Sequence, residues 1–175
     1  MHHLPCGRFV NSLTQLIEHV FKNLIENFKN TEWLCKRAIL APRNDAVEGI
    51  NTRLLNMLPG TSSLCKSIDS VIEKADNVEF PDEFLHSLQP SGMPPHQLML
   101  KEGAPIMLLR NLDPPRLCNG TRMVIQRLKR HVIEAEIITG RYSGETVLIP
   151  RIPLLHSDEP LHFKRLQFPV RFSFA

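Results

Sequence analysis

From residue 96 onward the apolar residues recur at every second position, and the stretch is cut into short pieces by Gly, Pro and Asn. Six candidate strands follow: QLMLKEG, PIMLLRN, TRMVIQRL, HVIEAEIITG, ETVLIPRIPL and QFPVRFSFA. Turn signals at Glu102-Gly103, 111–120, Lys129-Arg130 and Gly140–Gly144, with a longer loop at 153–162, separate them. Six short strands in so little chain can close only as a small barrel or a compact antiparallel sheet. VIEAEI sets Val132, Glu134 and Glu136 against Ile133, Ala135 and Ile137, the signature of a strand with one wet face.

The front of the sequence has a different period. Apolar residues at 10, 13, 16, 17, 20, 21, 24, 25 and 28 predict a helix over 10–28, capped by Asn11 or Ser12. RAILAP, residues 37–42, reads as a short strand. AVEGINTRLLNML then places Val47, Ile50, Leu54 and Leu58 on one helical face, stopped by Pro59-Gly60. Strand, Asn/Asp turn and amphipathic helix make half of a βαβ unit. At such a junction Arg43, Asn44 and Asp45 face free helix N–H groups. They serve either as a phosphate contact or as an ordinary cap by Asn44 or Asp45, and the chemistry alone favours the cap. LCKSIDSVI predicts a strand. Residues 76–95, with prolines at 81, 90, 94 and 95 and one short helix around PDEFLHSL, read as a subdomain boundary.

Composition narrows the function classes. Forty-two per cent hydrophobic residues exclude a disordered chain. No apolar run is long enough to cross a bilayer as a helix, which argues against a membrane role, and MHHLPCGRF carries no signal peptide. Cys6, Cys35, Cys65 and Cys118 are too far apart for a paired zinc motif, and reduced thiols are expected. His2, His3 and Cys6 cluster without a second ligand pair, so no metal site is expected. Up to residue 100 there are 9 Lys/Arg against 11 Asp/Glu, and after it 12 against 7. A basic C-terminal half points weakly to a polyanionic partner.

Catalytic signatures are missing from the sequence. GxxxxGK[ST], GxGxxG, GxSxG and HExxH do not occur. No Ser/His/Asp or Cys/His set assembles by spacing, and His96, after two prolines, reads as structural. No catalytic residue is assigned.

The string LKEGAPIMLLRNLDPPRLCNGTRMVIQRL resembles the C-terminal motor region of the petite-integration-frequency DNA helicases, most closely their Helitron-type branch. WLCKRAILAPRNDAVEGIN, SIDSV, FLHSLQPSGMPPHQLMLKEGAPIMLLRNLD, HVIEAEIITG, ETVLIPRIPL and QFPVRFSFA are similar to family segments in the family's order, over roughly residues 10–175. The resemblance implies a partial RecA-like second motor domain, of the P-loop NTPase type, with an SH3-like 2B insert. The fold expectation is therefore α/β plus a small β-barrel: a helical N-terminal segment at 1–33, the start of the motor domain at 34–83, the 2B subdomain at 84–130, and strands returning to the motor domain at 131–175. In the family the last strand runs into a KSQG-type motif and then an ATP-sensing arginine. The sequence stops at Ala175 before either, and the first motor domain with its P-loop and Mg²⁺ ligands is also outside it.

Family activity is ATP-driven 5′-to-3′ DNA unwinding, which needs ATP and Mg²⁺. This chain alone is expected to hold neither cofactor and to be inactive. The implied partner is single-stranded DNA, together with the first motor domain, and the implied compartment is the nucleus. The implied DNA contacts are Arg43, Asn44, Arg110, Arg116, Asn119, Thr121 and Arg122. Asn119-Gly120-Thr121 matches the family's NGT turn, where Gly120 supplies a positive φ and Asn119 caps the turn through its side chain. Read from the residues alone, NGT is equally a plain hairpin turn with solvated arginines. Phe168, Phe172 and Phe174 read as core, and Tyr142 as the one exposed ring of this half. A non-enzymatic SH3-like protein-interaction module and an inactive transposon relic are the alternative readings.

Overall fold

The structure, a computed structural model, describes residues 7, 9–72, 80–156 and 162–175. His2, His3, Cys6, part of the proline-rich boundary and the tip of the 153–162 loop lie outside the described residues.

The helical stripe folds as two helices. α1 spans Leu13–Val20 and begins where the Ser12 side chain accepts from the Gln15 N–H. It stops because Asn23 turns left-handed, at φ 62°, a conformation Asn tolerates better than most residues. α2 covers Leu24–Asn27 and α3 Thr31–Cys35. The turn lets Ile17, Phe21, Leu24 and Leu34 reach one core that a straight helix would have passed by. Phe21 meets Phe174 edge to face, with centroids 5.7 Å apart.

RAILAP forms no strand, which corrects that expectation. Residues 37–42 carry no regular structure and make a single ladder bond, Ile39 N–H to Phe174 O at 3.0 Å. One bond anchors the segment but does not build a ladder. α4, Asn44–Met57, follows as predicted and buries Ile50, Leu54 and Leu55. Its C-terminal carbonyls are capped from another element: the buried Lys101 ammonium donates to Leu55 O at 3.2 Å and Leu58 O at 2.8 Å. A cation at a helix C-terminus satisfies both the orphan acceptors and the dipole.

LCKSIDSVI splits at the buried Ser67. β1, Ser63–Lys66, pairs antiparallel with β3, Gln97–Leu100, while β2, Ile68–Val71, joins a different sheet. α5, Asp82–Ser87, lies between them in sequence. β4 (Pro105–Leu108), β5 (Arg122–Leu128), β6 (Val132–Ile137) and β7 (Thr146–Pro150) form a meander. β10, Val170–Phe172, adds to its β4 edge, giving the order β10-β4-β5-β6-β7. β8, Ile152–His156, and β9, Phe163–Gln167, pair with β2 in the order β2-β9-β8. ETVLIPRIPL is thus two strands in two sheets, parting at Arg151. FKRLQ is a strand that the sequence reading missed.

Mixed α/β with several antiparallel sheets is the observed class. One face of the five-stranded sheet and the β1–β3 ribbon enclose a core of Leu98, Leu100, Ile106, Met123, Ile125 and Phe168, among others. The opposite face contributes Val124 and Ala104 to the helical core. The division at 130/131 does not follow the sheet, because it falls inside the β5–β6 hairpin, whose strands pair from Met123↔Ile137 to Leu128↔Ile133. That pairing makes 131–137 part of the same sheet as 105–128.

Gly103 joins β3 to β4 at φ +81°, and a Cβ there would lie 2.5 Å from Cδ2 of Phe28. Gly144, at φ +91°, has nothing within 4 Å. We expect Gly103→Ala to cost about 2 kcal/mol and Gly144→Ala only about 1 kcal/mol in urea unfolding. Equal losses would show that the Phe28 contact contributes nothing.

Candidate nucleic-acid interface

The loop between β4 and β5 is held by its own bonds. Leu108 and Thr121 close its base, Leu108 N–H to Thr121 O at 3.0 Å and Gly120 N–H to Leu108 O at 2.8 Å. Inside it, Leu112 N–H and Leu117 N–H bond Leu117 O and Asp113 O, each at 2.8 Å, around a cis Pro114–Pro115 peptide. Leu117 is buried in the sheet core and pins the loop from beneath. Gly120 has φ +89°, as the NGT turn demands. The turn is capped differently from the expectation. Asn119 N–H donates to the Asn111 side-chain oxygen at 2.7 Å, and Cys118 N–H donates to the Thr121 hydroxyl at 3.1 Å. Asn111 supplies the side-chain cap that Asn119 was expected to provide.

This scaffold brings Arg110, Arg116, Asn119, Thr121 and Arg122 onto one loop and its ends, but their side chains do different things. Arg110 is exposed, with no hydrogen bond or ion pair among the described residues, and its guanidinium passes Gly92, where a Cβ would lie 3.8 Å from Nη1. Arg116 is paired to Asp113 at 2.8 Å and reaches Glu145 at 3.7 Å. Its charge is already balanced locally, though an exposed pair of this kind is worth little. Asn119 lies exposed at the tip.

Arg122 turns away from the loop. Its guanidinium donates to Arg37 O and Ser173 O, each at 3.0 Å, and makes longer bonds to Cys35 O and Ser173 Oγ, each at 3.4 Å. Burial holds its pKa below the ordinary arginine value, with the Cys35 thiol pulling weakly the other way. The side chain fastens the segment before α4 to the sheet. Arg43 and Asn44 lie at the start of α4. Arg43 is the N-cap residue and contributes no side-chain cap; its guanidinium is bound to Asp45, whose carboxyl it holds below the usual range. Neither Asn44 nor Asp45 is the capping residue. Tyr142 is half-buried against the sheet core, so the ring expected to be exposed is not free to stack.

A second polar cluster escaped the sequence reading. Arg165 and Asp69 are fully buried and paired at 2.7 Å. Arg165 also donates to Leu85 O at 2.8 Å, Leu88 O at 3.1 Å and Pro94 O at 3.2 Å. Asp69 further accepts from Ser67 Oγ at 2.7 Å, and Ser67 Oγ lies 2.8 Å from His96 Nδ1. Ser67, His96 and Asp69 therefore do come together, contrary to expectation. They form no nucleophilic triad, because the carboxylate orients the hydroxyl and not the imidazole. Asp69, His86 and His96 also have ligand atoms within 4.8 Å of one another. A metal is poorly served there: Arg165 and Ser67 already occupy both carboxylate oxygens, and the two imidazoles are stacked, so their lone pairs run side by side and do not converge.

We expect Arg122→Ala to cost about 2–3 kcal/mol in chemical unfolding, since several buried carbonyls lose their donor. Arg110→Ala should stay within about 0.5 kcal/mol. Arg122→Lys should recover little, because a single ammonium cannot span acceptors set for a fork. A neutral Arg122→Ala would remove the structural role assigned here.

Comparison with known proteins finds likenesses to Pif1 DNA helicases. The family described as DNA helicase Pif1, 2B domain, matches residues 83–128. The chain is 27% identical over 139 residues to the ATP-dependent DNA helicase PIF1 of Xenopus laevis, an alignment covering 78% of this chain and 20% of that protein. The Pif1 helicase of Candida albicans superposes with a TM-score of 0.56 at 19% identity, over 91% of this chain and 43% of that one. Unliganded Pif1 from Bacteroides sp. gives 0.57 at 18% identity, over 85% and 46%. Bacteroides Pif1 bound to single-stranded DNA gives 0.53 at 19%, over 90% and 39%. The chain spans about one fifth of the curated relative it matches. The self-bonded loop, Arg110 and the strands on either side all fall within the matched stretch, so this part of the chain is similar to the 2B domain of the Pif1 DNA helicases.

Proposed function

We propose that this chain is the segment of an ATP-dependent 5′-to-3′ DNA helicase, of the Helitron-type branch, that offers phosphate contacts to single-stranded DNA. The observation that carries the reading is Arg110, an exposed guanidinium with no partner among the described residues, on a loop too internally bonded to collapse around it. A preorganised loop loses little entropy on binding, and an unpaired guanidinium has no ion pair to break first. Arg116 and Asn119 add a partly neutralised cation and an amide on the same loop. Arg43, Asn44 and Thr121 are secondary candidates, Arg43 because its charge is shared with Asp45.

In this reading 34–83 opens a RecA-like motor domain, and an SH3-like 2B unit begins at 84 and keeps β6 and β7 in its sheet. ATP and Mg²⁺ belong to other parts of the helicase. The residues present do not fit them: the sequence has no GxxxxGK[ST] loop, and the carboxylate of the Asp69 cluster is consumed by Arg165. A family member acting in replication, repair or Helitron transposition would work in the nucleus.

Fluorescence anisotropy of a labelled single-stranded oligonucleotide tests this. Binding should weaken as salt rises, by about 0.7 in log K per phosphate contact for each tenfold change in salt. Arg110→Ala should lower that slope by about one such increment. Arg116→Ala should have a smaller effect. Absence of binding at low salt sinks the proposal for this chain, and salt-insensitive binding of a protein ligand would favour the interaction-module reading.

A further inference from the structure

His86 and His96 stack with ring centroids 3.6 Å apart and planes inclined by 16°. Neutral imidazoles can share that geometry, whereas two imidazolium ions repel strongly at such a distance. His86 closes the last turn of α5, and His96 immediately precedes β3. The stack therefore joins the two ends of the 88–96 segment.

The surrounding hydrogen bonds say where a proton goes. Asp69 only accepts, so Ser67 Oγ donates to it and must accept from His96 Nδ1–H. That leaves Nε2 of His96 as the basic atom. A charge there faces Arg165 from β9, Lys66 from β1 and His86 from α5, with Asp69 on β2 as the attractive group. Asp69 is already neutralised by Arg165. Asp82 and Glu83, one turn before His86, are exposed to solvent and soften the repulsion only partly.

We propose that the His86–His96 stack is an acid-released latch. Neutral rings hold α5 and the 88–96 segment against β2 and β9, and protonation of both rings frees that corner while the two larger cores stay folded. Among the described residues this corner has the smallest buried apolar cluster, with Leu85 and Phe163 as its buried hydrophobic residues. His96 is held below its ordinary value, first by burial and then by His86, with Arg165 and Lys66 adding and Asp69 opposing. A histidine depressed in the folded state stabilises above its unfolded value of 6.5, and that stability is lost as pH falls from there through the folded pKa. The freed segment includes Gly92, so the corner that opens borders Arg110.

Hydrogen exchange of the whole chain tests the latch. Between about pH 7.5 and 5.5, after correction for intrinsic exchange, protection of the Ser67, Leu85 and Leu88 amides should fall about tenfold or more, while Ile125 and Ile137 keep theirs. His86→Phe retains a ring for the stack and removes one titrating group, and should keep the protection at the lower pH. No selective loss in the wild type, or the same loss in His86→Phe, overturns the proposal. A ring-nitrogen NMR titration of the unmodified chain decides the matter if the variant folds poorly. His96 should take up its proton below 6.5. Protonation of His96 at the ordinary histidine value rejects the latch.

Discussion

Strand β5 has to satisfy two cores at once, and most of the molecule follows from that. Met123 and Ile125 point into the core shared with the β1–β3 ribbon, and Val124 points into the helical core. A sheet covered on both faces cannot leave its backbone or its neighbours' carbonyls to water. The helices lying on it must therefore be satisfied from the sheet. Arg122 does so for Cys35 and Arg37, and Lys101 for the end of α4. Asn51 works in the opposite direction, its buried side-chain oxygen accepting from Phe174 N–H at 3.1 Å and Ala175 N–H at 3.0 Å. Each of these polar groups costs desolvation, and each is retained because removing it would strand several buried partners.

The same constraint sorts the arginines. Arg122 and Arg165 are spent on the fold, and Arg151 donates to Lys66 O at 2.6 Å while lying over the Phe168 ring. A basic surplus in the C-terminal half thus overstates the charge available to a polyanion. What stays exposed for a ligand includes Arg110 on the β4–β5 loop, with Lys129, Arg130, Arg141, Lys164 and Arg171 elsewhere in this half. A loop rigid enough to hold one free guanidinium in place is a more specific device than a generally basic surface.

Local signals were readable wherever neighbours in sequence decide the outcome. Alternation gave β6 and β7, the Pro59-Gly60 stop bounded α4, Ser12 was a visible cap, and Gly120 fitted its turn. Legibility failed where a distant partner decides. Nothing in RAILAP says that a single bond to Phe174 replaces a ladder, and nothing in SIDSV says that its Asp waits for Arg165, 96 residues away. Strand β9 was hidden because Lys164 and Arg165 break the apolar run. Read with period two, Phe163, Arg165 and Gln167 share the buried face, and that pattern demands a carboxylate. At the candidate site the loop was visible but the direction of Arg122 was not, since its partners lie in segments 51 and 85–87 residues away.

The measurement that bears most directly on this division of labour is amide chemical-shift mapping of the chain as single-stranded DNA is added. The account predicts shifts centred on residues 109–120, with the Arg110 side-chain signals moving and the environment of Cys35, Arg37 and Ser173 undisturbed. Shifts centred on the start of α4 around Arg43, or on the segments that Arg122 fastens, would contradict it.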